Sequence, residues 1–182
     1  IKVFADGALG PRTASMLSPY SGEPENRGML LIDHEGLAEI AIRAAQAGLA
    51  TSVHAIGDQA THEVLGAFST LRDYEAANKL PHLRHRIEHL QLLHPDDSGR
   101  AGALNLVASM QPVHATSDMP MADRYWGDRV RTAYAWRTEL QAGAHLAFGS
   151  DAPVEDPNPF LGIHAAVTRR RLDGSPGPEG WV

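Results

Sequence analysis

Residues 51–90 read TSVHAIGDQATHEVLGAFSTLRDYEAANKLPHLRHRIEHL, and this stretch decides the fold class. Its two ends belong to short apolar runs, residues 50–55 and 86–90, which are typical of buried strands. Between these runs, apolar side chains recur at helical spacing, at Val64, Leu65, Phe68 and Leu71. A strand followed by a helix and a second strand predicts a parallel pair joined by a right-handed crossover.

The same alternation extends in both directions along the chain. Further strand-like runs lie at residues 1–5, 106–111 and 145–149. Further helical patterns lie at residues 37–44, closed by Gly48, and at 96–104, 130–141 and 163–167. Repeated strand–helix units predict an α/β fold with a parallel sheet. Two longer segments, residues 11–33 and 113–128, are expected to be functional loops.

Composition excludes several classes of protein. The chain has 182 residues, a mass of 19.6 kDa and a formal net charge of −6, which gives no general attraction to nucleic acid or to anionic membranes. It has no cysteine, so a disulfide scaffold and a thiolate zinc site are excluded. With 10 histidines, a transition metal would be bound by imidazole and carboxylate groups.

The sequence shows neither a signal segment nor an apolar run of about 20 residues that could span a bilayer. A cytoplasmic location is therefore expected. The chain opens directly on a strand-like run and closes after a Pro/Gly-rich stretch. We expect residues 1–182 to be a single domain that is a piece of a longer protein.

Candidate metal ligands follow the strand-like runs. His54 and His89 close two of them, Asp151 follows a third, and Lys2 lies in the first. In a (β/α)₈ barrel the carboxyl ends of the strands converge on one site. Two imidazoles and a carboxylate form a ligand set that suits zinc or a similar divalent ion.

Each of these residues also has a plain structural interpretation. A single strand histidine is more often a hydrogen-bonded core residue than a metal ligand. Asp151, which follows Gly149 and Ser150, could cap a helix. Lys2 could simply reach solvent from the end of its strand. The joint metal-site interpretation depends on the equivalent positions of His54, His89 and Asp151 in successive strand–helix units.

Five motifs carry a resemblance to a known family. They are KVFADGALG at residues 2–10, VHAIGD at 53–58, RHRIEH at 84–89, SMQP at 109–112 and FGSDAPV at 148–154. In their order and spacing they resemble the amidohydrolase superfamily, most closely its YtcJ-like branch, which includes N-substituted formamide deformylase. The resemblance runs over nearly the whole chain.

This resemblance implies a metal-dependent hydrolase built on part of a (β/α)₈ TIM-type barrel, approximately strands 4 to 8 with their helices. Lys2 matches the lysine that can be carboxylated to bridge two metal ions, and His54 and His89 match metal-binding histidines. Asp151 matches the aspartate that is both a metal ligand and the catalytic general base. The resemblance implies one or two divalent ions, with zinc the first expectation. The His-x-His pair of the family's first strand is absent from this sequence.

The expected reaction is hydrolysis of a carbon–nitrogen bond, amide or formamide, in a small-molecule substrate. Asp6, Gln111 and His114 are candidate substrate-binding residues, with loop anchoring as the alternative, while Arg86 and Glu88 are expected to be structural. Two other functions stay open: a non-catalytic barrel fragment or assembly module, and hydrolysis of esters or lactones on the same scaffold. Residues 1–182 alone are expected to be inactive and to associate, which indicates a homo-oligomer.

Overall fold

The computed structural model describes residues 1–181, which form an α/β fold around a five-stranded parallel sheet. The strands lie side by side in chain order: β1 (Lys2–Phe4), β2 (Ser52–Ala55), β3 (Arg86–His89), β4 (Val107–Met110) and β5 (His145–Phe148). All four pairings are parallel. The predicted runs are therefore confirmed as strands, each slightly shorter than its apolar stretch.

Six helices connect or follow these strands. They are α1 (His34–Gln46), α2 (Asp58–Asn78), α3 (Arg100–Ala103), α4 (Pro112–Trp126), α5 (Trp136–Gln141) and α6 (Pro159–Thr168). Helix α1 begins after Asp33, whose side chain accepts a hydrogen bond from the Gly36 amide, as a capping aspartate does. It ends before Gly48, which has the positive φ of 71° expected of a glycine that terminates a helix.

The prediction of a loop over residues 113–128 is wrong, because helix α4 occupies most of that segment. Two features concealed it: Pro112 opens the helix and Pro120 lies inside it. The helix is held by one face that is buried at helical spacing, through Ala115, Met119, Ala122 and Trp126. The predicted helix over residues 130–141 is in turn divided into a 3₁₀ turn, Gly127–Thr132, and α5.

The two faces of the sheet have different surroundings. One face is covered by helices, and there Val53, Ile87 and Ala108 are fully buried at paired positions of β2, β3 and β4. The other face carries Arg86 and Glu88, which form an ion pair beside Ser52, whose hydroxyl also donates to Glu88. The sheet therefore has an apolar outer face and a polar inner face, as a barrel wall does.

A buried ionic network fixes α2 to the sheet. Glu75 is fully buried and accepts hydrogen bonds from Arg72 Nη1 at 2.6 Å and from His85 Nε2 at 3.0 Å. The other ring nitrogen of His85 accepts from the Thr51 amide, so the proton on the neutral ring lies on Nε2. Burial raises the pKa of Glu75, but hydrogen bonds from His85 and Arg72 outweigh it, and the pKa is lowered overall.

We expect Glu75→Ala to lower the free energy of unfolding by about 3–5 kcal/mol, because it leaves the buried Arg72 guanidinium without its partner. Urea unfolding at neutral pH measures this loss. Glu39→Ala is the matched control, since Glu39 pairs with Arg43 on the exposed surface of α1 and should cost under about 0.5 kcal/mol.

The same variant tests whether the pKa of Glu75 is lowered in the folded protein. A carboxylate whose pKa is lowered in the fold contributes stability that is lost as the pH falls. The difference between the wild type and Glu75→Ala should therefore shrink below the ordinary glutamate pKa of 4.5. A difference that is equal at neutral and acid pH would contradict the assigned network.

None of the helices within residues 1–181 is both long enough and apolar enough to cross a membrane.

Candidate metal centre

A cavity of about 600 Å³ opens at the carboxyl ends of the strands. It brings together five of the predicted site residues that are far apart in sequence: Lys2, His54, His89, His114 and Asp151. Its remaining wall comes from the loop after β1, through Leu9, and from α4, so the cavity is closed by apolar as well as polar groups. This is the edge at which parallel sheets with crossover helices place their functional sites.

His54 lies at the end of β2 and is held in one tautomer. Its Nε2 is 2.8 Å from the Gly7 carbonyl oxygen, which can only accept, so Nε2 carries the proton. Burial lowers the pKa of His54, and the nearby Lys2 ammonium adds to this effect. The ring is therefore neutral near pH 7, with an unshared electron pair on Nδ1.

His89 reaches the same cavity through an unusual backbone. Strict alternation along β3 would place it beside Ile87, on the helix-covered face, but φ is +72° at His89 and +46° at Leu90. The chain turns out of the strand there, and the rings of His89 and His54 lie 4.5 Å apart between centroids. Left-handed residues other than glycine are uncommon and concentrate at functional sites.

Gln111 orients the His89 ring. Its Oε1 lies 2.9 Å from His89 Nδ1, and its Nε2 donates to the Ser109 carbonyl oxygen at 3.3 Å, which fixes the direction of the amide. His89 Nδ1 is thus the donor, and Nε2 keeps its electron pair. Burial, with a contribution from His54, lowers the pKa of His89 to about 4. Gln111 lines a smaller adjoining cavity rather than the main one.

These two rings fit a divalent ion in their chemistry. Each donates one N–H to an acceptor that fixes the ring, which is the usual arrangement of a metal-binding histidine. In the described part of the chain, neither His54 Nδ1 nor His89 Nε2 makes a hydrogen bond. Residues 1–181 nevertheless contain no group of three His, Cys, Asp or Glu side chains placed to hold one ion together.

Lys2 and Asp151 complete the charged lining. Burial lowers the pKa of the Lys2 amine, opposed by the negative charges of Glu88 and Asp151. Asp151 is exposed, and its φ of +55° again places a strand-end residue in the left-handed region. Lys2 and Asp151 border both the main cavity and the adjoining one, so they lie between the two.

Asp6 lies behind the cavity rather than in its lining. It is 1% exposed and accepts hydrogen bonds from the amides of Ser15, Ile56 and Gly57 at 2.8–3.1 Å. Burial raises its pKa to about 7, although these three amides act in the opposite direction. Asp6 thus joins the loop after β1 to the end of β2, which agrees with the loop-anchoring alternative, and contact between Asp6 and substrate stays a prediction.

One glycine makes this junction possible. Gly57 packs so closely on the backbone of Ser15 that a Cβ there would lie 1.9 Å from the Ser15 carbonyl oxygen. The loop that follows β1 is thereby held against the end of β2, directly beside His54. The glycine of the VHAIGD motif is therefore a requirement of the site's frame.

Sequence comparison now gives the family. Residues 1–180 match the profile described as Amidohydrolase family. The chain belongs to the amidohydrolase family. A relative of this chain is YtcJ of Bacillus subtilis (strain 168), whose name describes it as a candidate amidohydrolase. It is 39% identical over 181 residues, covering 98% of this chain and 33% of YtcJ.

Solved structures agree with this assignment. An uncharacterized metal-dependent hydrolase from Pyrococcus furiosus superposes on this amidohydrolase domain with a TM-score of 0.81 at 34% identity, covering 98% of the domain and 36% of that chain. A second one, from Pyrococcus horikoshii OT3, gives 0.81 at 35%, covering 93% and 33%. The domain thus spans about a third of the length of the relatives that it matches.

Sequence reasoning missed part of the amidohydrolase cavity. Gln91, Asp118 and Glu155 line it, and none of them was a candidate. Gln91 follows His89 by two residues. Asp118 follows His114 by four residues, so His114 and Asp118 lie one turn apart on the same face of α4. That signal was available only if residues 113–128 were recognised as a helix.

Proposed function

We propose that this amidohydrolase domain belongs to an enzyme that hydrolyses a carbon–nitrogen bond, amide or formamide, in a small molecule with the help of a divalent ion. The observation that supports the proposal most directly is the pair of neutral imidazoles at His54 and His89. Both rings present an electron pair at adjacent strand ends beside one cavity. We further propose that the five strands are strands 4 to 8 of a (β/α)₈ barrel.

Four residues would bind the divalent ion. His54 Nδ1 and His89 Nε2 would hold the ion, joined by Asp151 and by Lys2 once its amine is carboxylated or deprotonated. Zinc suits this set of nitrogen and oxygen donors. When bound, such an ion supplies Lewis acidity, which acidifies water and polarises a carbonyl group.

Asp151 would carry the proton. Its carboxylate would accept a proton from the attacking water and pass it to the leaving nitrogen as the carbon–nitrogen bond breaks. Its exposed position at the cavity edge suits this role, because the carboxylate can be reached by both water and substrate. Gln111 would hold His89 in the orientation needed throughout.

The test is to assay the full-length metal-loaded protein against matched formamides, amides, esters and lactones, with metal content measured on the same sample. Turnover of formamides or amides that disappears on chelation and returns with zinc supports the proposal. Turnover of esters or lactones alone would overturn the bond type, and a protein that binds no divalent ion would overturn the metal role. The cytoplasmic location stays a prediction.

A separate prediction concerns residues 1–182 by themselves, which we expect to self-associate. Within the described residues, β1 and β5 each pair on one side only, and Phe4 and Phe148 on these strands are 55% and 48% exposed. Unpaired edges and apolar surface favour association. Sedimentation velocity over a range of concentrations measures this, and a monomer at every concentration would contradict it.

The same sample should not turn over a formamide when zinc is added. The reason is that the His-x-His pair implied by the family resemblance is absent from these residues, so one metal position would lack its ligands. Multiple turnovers by residues 1–182 would show that these strands suffice for catalysis.

A further inference from the structure

A second groove lies between helices α4 and α6 and the segment that follows α6. Its volume is about 420 Å³, and none of the residues in 1–181 lines both this groove and the main cavity. Arg170, Arg171 and His164 line it, together with apolar residues that include Leu161 and Leu172. We call it the basic groove. It is separate from the residues to which the proposed hydrolysis assigns a role.

Arg171 is fixed in the basic groove by an irregularity of α4. Pro120 lies inside this helix and has no N–H, so it cannot donate to the carbonyl oxygen of Thr116, four residues earlier. Arg171 Nε takes this place and donates to the Thr116 carbonyl oxygen at 3.0 Å, while Nη2 donates to that of Ser117 at 3.4 Å. Within residues 1–181, Arg171 Nη1 makes no hydrogen bond and keeps accessible surface. The guanidinium is therefore held in place with two N–H groups still available.

Arg170 is half-buried and makes fewer contacts. In the part of the chain that the structure describes, its guanidinium makes no hydrogen bond. Nε is enclosed by protein atoms, whereas Nη1 and Nη2 keep accessible surface. Among residues 1–181, neither Arg170 nor Arg171 forms an ion pair with a carboxylate. A charge withdrawn from water without a partner costs free energy, so a half-buried arginine pair of this kind is unusual.

The preceding residue shows how this fold satisfies an arginine that serves structure alone. Arg169 is also half-buried, but its Nε, Nη1 and Nη2 all donate to carbonyl oxygens, those of Trp181, Tyr134 and Ala133. Its guanidinium is thus fully used by the protein. Arg170 differs from its neighbour because its terminal nitrogens are left for a group outside residues 1–181.

The charge of the basic groove is opposite to that of the chain. The whole chain has a formal net charge of −6, but within residues 1–181 the groove lining contains two guanidinium groups and one carboxylate, that of Asp173. Asp173 is exposed, and its Oδ1 accepts a hydrogen bond of 2.9 Å from the Ser175 amide in its own turn. The groove therefore combines positive charge with free N–H donors, and it attracts anions.

We propose that the basic groove binds an organic anion. A phosphate or carboxylate group of the ligand pairs with Arg170 and Arg171, and an apolar body lies on Leu161 and Leu172. Guanidinium groups pair with both kinds of oxygen group through parallel N–H···O bonds. The volume of the groove falls in the range of small-molecule pockets, about 300–1,000 Å³. The proposal does not rest on the proposed hydrolysis, since it concerns a different site.

The test measures calorimetric binding of phenyl phosphate, benzoate and benzyl alcohol to the full-length protein after its divalent ions are removed. Removal is needed because a metal ion in the main cavity would itself bind anions. We expect at least one anion to bind more than about tenfold more tightly than benzyl alcohol, which has the ring without the charge. Added salt should weaken this binding. The tighter anion identifies the charged group; no preference for either anion over benzyl alcohol would overturn the proposal.

The variant Arg170→Gln locates the binding. It removes the charge but keeps an amide of similar reach, and we expect it to weaken the tighter anion about 10- to 100-fold. Arg137→Gln is the matched control, because Arg137 is an exposed arginine of α5, and it should change the affinity less than about twofold. Unchanged affinity in Arg170→Gln together with a lower melting temperature would show an arginine that only stabilises the end of α6.

Chemical modification gives a second measurement on the wild-type chain, in case Arg170→Gln does not fold. Phenylglyoxal modifies accessible guanidinium groups, and peptide mass spectrometry follows each arginine separately. Saturating phenyl phosphate or benzoate, whichever binds more tightly, should slow the modification of Arg170 several-fold and leave that of Arg137 unchanged. Equal protection of both residues, or of neither, would overturn the proposal.

Discussion

Full-length protein carrying His89→Ala is expected to lose most of its bound metal and more than about a hundredfold of its hydrolytic activity. Removing a partner that merely orients a metal-binding histidine already costs about 10- to 100-fold, and this change removes the proposed ligand itself. The expectation depends on the His89 ring, whose Nδ1 donates to Gln111 and whose Nε2 is left for a metal ion. His54→Ala should have the same effect.

The measurement is metal content together with kcat/KM on one preparation of each variant. His145→Ala is the matched control, because His145 is an exposed histidine at the opposite end of its strand and contacts Asn105. A variant that is merely less stable would lose activity but would keep its metal content per folded molecule. Circular dichroism is therefore recorded for each variant, to measure how much of it is folded. Full metal occupancy in both His54→Ala and His89→Ala would exclude the proposed centre.

The sheet could be predicted from the sequence because each strand is a short apolar run bounded by polar or glycine residues. Val53 and Ile87 show why this works: they are buried between sheet and helices, so selection for apolar side chains is strong at those positions. Helix α4 could not be predicted in the same way. Its buried face uses alanine and methionine, and Pro120 interrupts the pattern that would otherwise indicate a helix.

The sequence predicts the candidate site only through the polar residues that close the strand-like runs. His54 follows the alternation of β2, whereas His89 reaches the cavity because its backbone leaves the strand with a positive φ, which the sequence does not reveal. Asp6 shows the opposite case: a strand-end carboxylate that looks suited to a ligand is turned inward to three backbone amides. Burial and backbone direction decide between these outcomes, and both depend on tertiary packing.

Asp151→Asn should separate metal binding from catalysis. An amide oxygen can still bind a metal ion weakly, so we expect the full-length variant to keep part of its metal. An amide cannot accept the proton that the carboxylate would take from water, and loss of such a general base costs about 10²- to 10⁴-fold in turnover. Asparagine is the right replacement because φ at this position is +55°, a conformation that asparagine adopts more readily than alanine does.

The decisive comparison is therefore between the two kinds of variant. His89→Ala should lose metal and activity together, while Asp151→Asn should lose activity by a larger factor than metal. Saturating zinc should not restore Asp151→Asn, because the missing function is a proton acceptor. Asp73→Asn on the exposed face of α2 serves as the control for the same chemical change. Turnover by Asp151→Asn within about tenfold of the wild type would remove Asp151 from the proposed mechanism, since a residue that moves the proton cannot be replaced at so small a cost.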